Sequence, residues 1–197
     1  GYRQAELNRD FPRREGYVFP GTALRRLGAM LQDDAVVCVD VGQNQIFTCK
    51  YLPQKNGRLL TSGGLGTMGY ALPAAIGAKV AEPDKQTIVI CGDGSFQMSM
   101  NELAAVKTAG MDLKIVVFCN GTLGLVHQIQ RTAPYHGPFG VDLDGSPDFE
   151  TIAAAYGIPA LCVADEDALD GVLEQFLAQK GPCLLLCRVH PDVTTGD

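Results

Sequence analysis

Residues 87–95 read Thr-Ile-Val-Ile-Cys-Gly-Asp-Gly-Ser, and this stretch decides the fold. Its first five residues are apolar or β-branched without alternation, which is typical of a strand buried on both faces of a parallel sheet. The two glycines that flank Asp93 end the strand in a turn with little side-chain bulk. The segment therefore predicts a buried strand that delivers a carboxylate to one edge of a sheet.

Four more apolar runs predict strands over 35–39, 114–119, 161–163 and 183–189. Apolar residues at helical spacing predict helices over 22–31, 69–80, 98–109, 149–156 and 167–179, the third with a capping box of Ser99 and Glu102. This alternation favours a single doubly wound α/β domain, in which helices flank both faces of a parallel sheet. Polar, glycine-bearing segments follow the first three strands at Asp40, Gly92 and Asn120. In such a fold they meet on one rim, where ligands bind.

The composition is that of a globular protein, with 46% hydrophobic and 19% charged residues among 197. The 16 basic and 22 acidic residues give a net charge of −6, which argues against a nucleic-acid partner. The sequence has neither a secretory leader nor an apolar run of membrane-spanning length, so we expect no membrane association and a cytoplasmic location. The seven cysteines form no C-x-x-C pair, and we expect them to be buried, reduced thiols.

Two regions differ from the rest of the sequence. The first 16 residues carry four arginines and no sustained apolar period, which predicts a linker or arm over 1–16 that leads into a domain over 17–197. Residues 131–147 are rich in proline and glycine, which predicts a surface loop.

Asp93 and Asn120 predict a site for a divalent cation. A carboxylate beside a phosphate is repulsive unless a cation lies between them, and Mg²⁺ is commonly held by one or two protein oxygens together with phosphate oxygens. Asn120 follows Asp93 by 27 residues, one helix and one strand later, which returns it to the same rim. Its amide oxygen and a backbone carbonyl near Thr122 can then complete the metal shell. Taken alone, each glycine-containing segment would equally suit a plain turn.

The spacing of Gly92-Asp93-Gly94 from Cys119-Asn120 resembles the motif of thiamine diphosphate enzymes, in which G-D-G is followed by N-N. Cys119 stands at the position of the first Asn of that motif. Residues 40–45, 61–78, 95–98 and 101–103 closely resemble the large subunits of acetolactate (acetohydroxyacid) synthases. The resemblance covers about residues 17–190 and implies the carboxy-terminal cofactor-binding domain of that family.

The resemblance assigns cofactor roles to residues on the rim. It implies that Mg²⁺ is held by Asp93, Asn120 and the carbonyl of Thr122. It implies that the diphosphate or its surroundings are contacted by Gln43, Asn44, Gly94, Ser95, Leu123 and Gly124. The carbonyl of Gly66 would accept a hydrogen bond from the aminopyrimidine, and Met68 would support the bent cofactor from below. Without the resemblance, Met68 would be assigned to core packing at a helix start.

The resemblance also implies a reaction that this chain does not complete alone. In the family, a 2-keto acid such as pyruvate is decarboxylated and the remaining unit is joined to a second 2-keto acid. The activating glutamate comes from a separate pyrimidine-binding domain, usually of a partner subunit, so we expect no catalytic residue here and a homo-oligomer of two or more chains. Full-length synthases often bind FAD in a middle domain.

Three other interpretations remain open from the sequence. Another carboligase or decarboxylase of the same superfamily, including a split enzyme with a separate pyrimidine-binding subunit, would carry the same motif. A noncatalytic module would bind cofactor without such a partner. A Rossmann-type dinucleotide binder is disfavoured, because the glycines at 64, 66 and 69 follow residues 59–62, which make a poor strand.

A few further positions bear on substrate and proton transfer. Ile129 replaces a tryptophan that shapes the acceptor pocket of the synthases, which weakens the case for a preference for 2-ketobutyrate over pyruvate. His127 could carry a proton at the mouth of the site, although an exposed helix histidine is the commoner situation. His136 and His190 show no partner in the sequence.

Overall fold

The computed structural model describes residues 11–53, 55–132 and 137–197. Residues 1–10 of the predicted arm, His136 and part of the predicted loop over 131–147 lie outside this range. The described elements, in chain order, are α1 (Pro20–Met30), β1 (Val36–Val39), α2 (Gln43–Tyr51), β2 (Arg58–Leu60), α3 (Ala71–Ala81), β3 (Thr87–Gly92), α4 (Asp93–Gln97), α5 (Leu103–Thr108), β4 (Lys114–Cys119), α6 (Gly124–Gln130), α7 (Phe149–Ala155), β5 (Ala160–Val163), α8 (Leu169–Ala178) and β6 (Cys183–Arg188). A 3₁₀ turn at Met100–Glu102 separates α4 from α5.

The strands form one sheet in the order β2-β1-β3-β4-β6-β5, and every neighbouring pair is parallel. Strand β3 lies between β1 and β4, with Ile90 opposite Val39 on one side and Val116 on the other. The carboxyl ends of β1, β3 and β4 therefore lie side by side on one edge. The doubly wound parallel sheet that the sequence predicts is confirmed.

Two hydrophobic cores cover the two faces of the sheet, because successive strand residues point to opposite faces. Ile88 and Ile90 of β3 belong to a core with the apolar sides of α1, α2 and α8. Val89 and Cys91 belong to the other core, with residues of α3, α4, α5 and α7. The longest helices, α1 and α3, have 11 residues each, and no helix among the described residues is long and apolar enough to cross a bilayer.

All five predicted strands are present to within one residue at each end, but the single helix predicted over 98–109 is confirmed only in part, by α5 over Leu103–Thr108. The chain instead leaves α4 at Gln97 and passes through the 3₁₀ turn before α5 begins. The capping box of Ser99 and Glu102 is wrong, because the Ser99 side chain makes no capping hydrogen bond. Ser95 makes the reciprocal exchange instead, since its hydroxyl accepts from the Gly92 N–H and donates to the Gly92 carbonyl, both at 3.1 Å.

Residues 11–16 form no helix or strand, but they pack against the domain. The Phe11 ring lies 4.7 Å from the Phe19 ring and 4.8 Å from the Tyr51 ring. Arg13 lies 3.6 Å from the buried carboxylate of Glu166. These contacts hold the segment that precedes α1 on the face of the sheet covered by α1 and α8.

The expectation that all seven cysteines are buried is wrong for part of the set. The thiols are free, and Cys38, Cys91, Cys183 and Cys187 are buried in the cores. Cys49 and Cys162 are exposed, and Cys119 is half-buried. Cys162 lies on the edge strand β5, where only one side of the strand is paired.

Candidate diphosphate and cation site

A cleft opens on the edge of the sheet where β1, β3 and β4 end. Its lining brings together ten of the eleven residues predicted for the site, namely Gln43, Asn44, Met68, Asp93, Gly94, Ser95, Asn120, Thr122, Leu123 and Gly124. Gly66 does not line it. That glycine is exposed in a turn, with φ of 62° and its N–H 3.0 Å from the Ser62 carbonyl.

The Asp93 carboxylate lies at the tip of β3 and is 4% exposed. One oxygen accepts the Gly94 N–H at 2.9 Å, and the other accepts the N–H groups of Asn120 at 3.0 Å and Gly121 at 2.7 Å. An ionised carboxylate offers about four acceptor positions, so the oxygen on Gly94 keeps one of them open. Burial raises the pKa of Asp93 above its ordinary value, while the three N–H groups act in the opposite direction.

Asn120 lies one strand over, at the tip of β4, so that Asp93 and Asn120 meet across neighbouring strands. The amide oxygen of Asn120 accepts the Thr122 N–H at 3.1 Å, and its amide nitrogen faces the Gln43 side-chain oxygen at 3.4 Å. The chain then turns sharply, with Gly121 at φ of 70°. This positive φ suits glycine because it lacks a Cβ.

The predicted surface loop over 131–147 returns to the site in its described part. Val141 is 2% exposed, and its carbonyl accepts the Leu123 N–H at 2.8 Å and the Thr122 hydroxyl at 3.0 Å. The Leu143 N–H donates to the Gly121 carbonyl at 2.9 Å. The turn that carries Asn120 and Thr122 is therefore held from outside the sheet, and the description of this segment as a surface loop is wrong for Val141.

Asp40 follows the first buried strand and supports the cleft, although its sequence pattern gave it no role. Its side chain is 1% exposed at the tip of β1, where it accepts the N–H groups of Val41, Gly69 and Ala71, each at 2.9 Å. Burial raises its pKa above the ordinary value. Because these bonds fix the end of the loop that carries Met68, Asp40 holds Met68 against the cleft. Its place directly after a buried strand, like that of Asp93, was the available signal.

Glycine is required where side chains crowd the cleft. A Cβ on Gly94 would lie 2.7 Å from Leu123 Cδ2 and 3.6 Å from the Met68 methyl. A Cβ on Gly124 would lie 2.2 Å from Gln43 Oε1 and 2.6 Å from Asn120 Nδ2. Both distances on Gly124 are shorter than any normal contact, so the glycine allows the two amides to lie over the start of α6.

The other positions singled out in the sequence do not line the cleft. His127 is half-buried on α6, so the exposed position expected for it is wrong, and Ile129 is 50% exposed. Cys119 is half-buried, its thiol pKa is raised by burial, and its Sγ lies 3.7 Å from the Val117 carbonyl. His190 has partners that the sequence did not reveal, because its Nδ1 lies 2.8 Å from the Arg14 guanidinium and its ring packs edge-on against Tyr17.

Among the described residues, no group of three or more His, Cys, Asp or Glu side chains could hold a metal ion. The oxygen donors at the cleft are of another kind, namely the Asp93 carboxylate, the side-chain amides of Gln43, Asn44 and Asn120, and the backbone carbonyls of the turn. Such hard oxygen ligands suit Mg²⁺, which keeps the rest of its shell for water and phosphate. The donor set therefore fits a magnesium diphosphate.

Comparison with known proteins decides the family. Residues 40–187, which are 148 of the 197 residues, match the family described as "Thiamine pyrophosphate enzyme, C-terminal TPP binding domain". The chain belongs to this family. Thiamine pyrophosphate is thiamine diphosphate, so the resemblance inferred from the sequence is confirmed.

Acetolactate synthases are among the relatives of this TPP-binding domain. It is 44% identical to the acetolactate synthase large subunit of Lactococcus lactis subsp. lactis (strain IL1403), over 71% of this chain and 24% of that protein. It is 38% identical to the isozyme 1 large subunit of Escherichia coli (strain K12), over 86% of this chain and 30% of that protein. The synthase of Arthrospira platensis is 41% identical over 81% of this chain and 28% of its own length. The chain thus spans between about a quarter and a third of these relatives.

Proposed function

We propose that this TPP-binding domain holds the diphosphate of thiamine diphosphate through Mg²⁺, as part of an acetolactate synthase-like enzyme. That enzyme would decarboxylate a 2-keto acid such as pyruvate and join the product to a second 2-keto acid. The observation that carries the proposal is the contact of the Asp93 carboxylate, at the tip of β3, with the backbone N–H of Asn120, at the tip of β4, where both residues line the same cleft. The similarity to acetolactate synthases supports the choice of reaction.

The residues of this chain would bind and orient rather than react. The open acceptor position on Asp93, the amide oxygen of Asn120 and the carbonyl of Thr122 would hold the cation. The diphosphate would be enclosed by residues at the start of α2 and after β3 and β4, namely Gln43, Asn44, Gly94, Ser95, Leu123 and Gly124. Met68 would support the cofactor, and Gly66 would reach the pyrimidine through its carbonyl. The cofactor supplies the electron sink that allows decarboxylation.

The activating glutamate and the rest of the active site would come from another domain or subunit. We propose a pyrimidine-binding domain or subunit as partner, a homo-oligomeric enzyme and, in a full-length form, an FAD site, because the chain spans less than a third of the length of each of these three relatives. The seven free thiols support a cytoplasmic location.

Calorimetric titration of thiamine diphosphate into the protein, with and without Mg²⁺, tests the proposal. We expect weak binding that requires Mg²⁺ and a fall in affinity of at least tenfold, about 1.4 kcal/mol, in Asn120→Ala and in Asp93→Asn. Asp84→Asn removes the same charge from an exposed turn after α3 and serves as the matched control. Binding that ignores Mg²⁺, or that survives both changes at the cleft, would contradict the proposal.

The need for a partner is tested by turnover. The protein mixed with thiamine diphosphate, Mg²⁺ and pyruvate should form no acetolactate, and addition of a pyrimidine-binding domain from a relative should restore some. Product formed by the protein alone would show that the activating group lies within this chain.

A further inference from the structure

The segment that follows β6 contacts both of the helices that border the cleft, α2 and α6. The Val193 carbonyl accepts the side-chain N–H of Gln43, the first residue of α2, at 2.8 Å. The Thr195 N–H donates to Gln128 Oε1 on α6 at 2.9 Å, and the Thr195 hydroxyl accepts from Gln128 Nε2 at 3.0 Å. An ion pair between Arg131 and Asp192, with 2.6 Å between nitrogen and oxygen, ties the same segment to the end of α6.

Backbone groups fix which way the two glutamine amides point. The Val193 carbonyl can only accept, so the end of Gln43 that faces it must be the amide nitrogen. The Thr195 N–H can only donate, so the end of Gln128 that faces it must be the oxygen. With both ends set, Gln43 Nε2 also donates to Gln128 Oε1 at 3.0 Å. The polarity of this chain of amides is therefore determined by the segment after β6.

The orientation of Gln43 in turn determines the orientation of Asn120, the proposed cation ligand. Because its nitrogen is engaged, Gln43 turns its oxygen toward Asn120 Nδ2, at 3.4 Å. Asn120 must then present its oxygen on the other side, where it accepts the Thr122 N–H at 3.1 Å. The absence of a side chain at Gly124 leaves room for the two amides to meet. The bond at 3.4 Å is the longest of the series, so it is the link most sensitive to a loss of alignment of Gln43.

We propose that Gln128 is a positioning residue, which acts together with the Val193 carbonyl to orient Gln43 and so the Asn120 amide, whose oxygen is thereby aimed at the cation. The role in cation binding rests on the proposed function. Gln128 itself acts at a distance, because its hydrogen bonds go to Gln43 and Thr195 and it does not line the cleft. The nearby Gln130 is a matched control, since its amide contacts the backbone of Phe139 and none of these groups.

The orientation is tested by NMR on the protein without cofactor, with the Asn120 side-chain amide and the Thr122 backbone amide as probes. Gln128→Leu removes one of the two acceptors of Gln43 Nε2 and leaves only the Val193 carbonyl, so that Gln43 is less well aligned and we expect both resonances to shift. Gln128→Glu keeps an acceptor oxygen for Gln43 and Thr195, while the Thr195 hydroxyl can donate in turn, so we expect it to preserve the wild-type resonances. Gln130→Leu should leave them unchanged as well. Unchanged resonances in Gln128→Leu, or equal shifts in Gln130→Leu, would overturn the proposal.

The consequence for the cation is tested separately, by the Mg²⁺ concentration that gives half-maximal binding of thiamine diphosphate. We expect a rise of about threefold to tenfold in Gln128→Leu, the range that corresponds to one lost hydrogen bond. Gln128→Glu and Gln130→Leu should match the wild type. Shifted resonances with an unchanged Mg²⁺ requirement would overturn the positioning role. If the wild type itself fails to bind thiamine diphosphate, the proposed function fails while the NMR result still decides whether Gln128 orients Asn120.

Discussion

Replacement of Gly124 by alanine is the most direct probe of the amide pair in the cleft. The new methyl group would lie 2.2 Å from Gln43 Oε1, 2.6 Å from Asn120 Nδ2 and 2.8 Å from Gln43 Cδ. Contacts this short cannot persist, so either the amides rotate away or the start of α6 moves. Rotation of Gln43 breaks its bonds to Asn120, Gln128 and Val193.

The expected cost follows from opposing terms. A net loss of about 1 kcal/mol for each of the two shorter hydrogen bonds, to Gln128 and Val193, destabilises the variant, with some strain in the crowded site and little from the 3.4 Å bond to Asn120. Alanine in place of glycine gains up to about 1 kcal/mol in a helix interior, and less at Gly124 because it is the first residue of α6. We therefore expect a net loss of about 1 to 3 kcal/mol in the free energy of unfolding.

Equilibrium urea unfolding followed by circular dichroism measures this change. Gly77→Ala is the matched control, because Gly77 lies within α3 and a Cβ there would meet nothing within 4 Å. The control should be more stable than the wild type by about 0.5 to 1 kcal/mol. If Gly124→Ala is as stable as the control and leaves the Asn120 side-chain resonances unchanged, the crowding argument is refuted.

Three further predictions concern groups away from the amide pair. Lys114→Met should lower the free energy of unfolding by about 2 to 3 kcal/mol, because the buried ammonium donates hydrogen bonds to Asp112 and to the carbonyls of Gln179 and Gly181. Urea titration measures this change, and an unchanged unfolding midpoint would contradict it. Burial raises the pKa of Asp40 above 3.8, so this carboxyl ionises less readily in the folded chain than in the unfolded chain. The contribution of Asp40 to the free energy of unfolding is therefore lost as pH rises from 3.8 through the folded-state pKa. Wild type should therefore lose stability relative to the non-titrating Asp40→Asn as pH rises over that window, and a constant difference would exclude the effect. In thiol labelling at pH 8, Cys49 should react before Cys162, whose thiol pKa is raised to about 11, and the reverse order would refute the assignment.

The sheet could be predicted because its strands are continuous apolar runs, and such runs have few alternative environments. Strand β2 was missed since it has three residues at the edge of the sheet and none of them is buried. Helix α2 was missed for a related reason, because it begins with polar residues of the cleft, Gln43 and Asn44, and has no clear apolar side. Where residues are chosen for a site rather than for packing, periodicity loses its information about structure.

Most of the residues that line the cleft could be predicted from the sequence, but the hydrogen bonds that hold them in place could not. Residue types and spacing placed Asp93 and Asn120 on one rim, and the resemblance supplied their neighbours. The bonds from Asp40 to Gly69 and Ala71, and from Gln128 to Gln43, join segments about 30 and 85 residues apart. Such links depend on the final arrangement of loops and helices, which no local pattern encodes.

The carboxylate at the tip of β3 serves two purposes, because the same group that could bind a cation also satisfies three backbone N–H groups of its surroundings. A relative that had lost the cation during evolution would still be under selection to keep an acid at this position, since its removal would leave those donors buried without acceptors. Retention of the aspartate is therefore weak support for metal dependence in distant members of the family. The asparagine across the rim, whose side chain is needed far less by the backbone, is the better diagnostic.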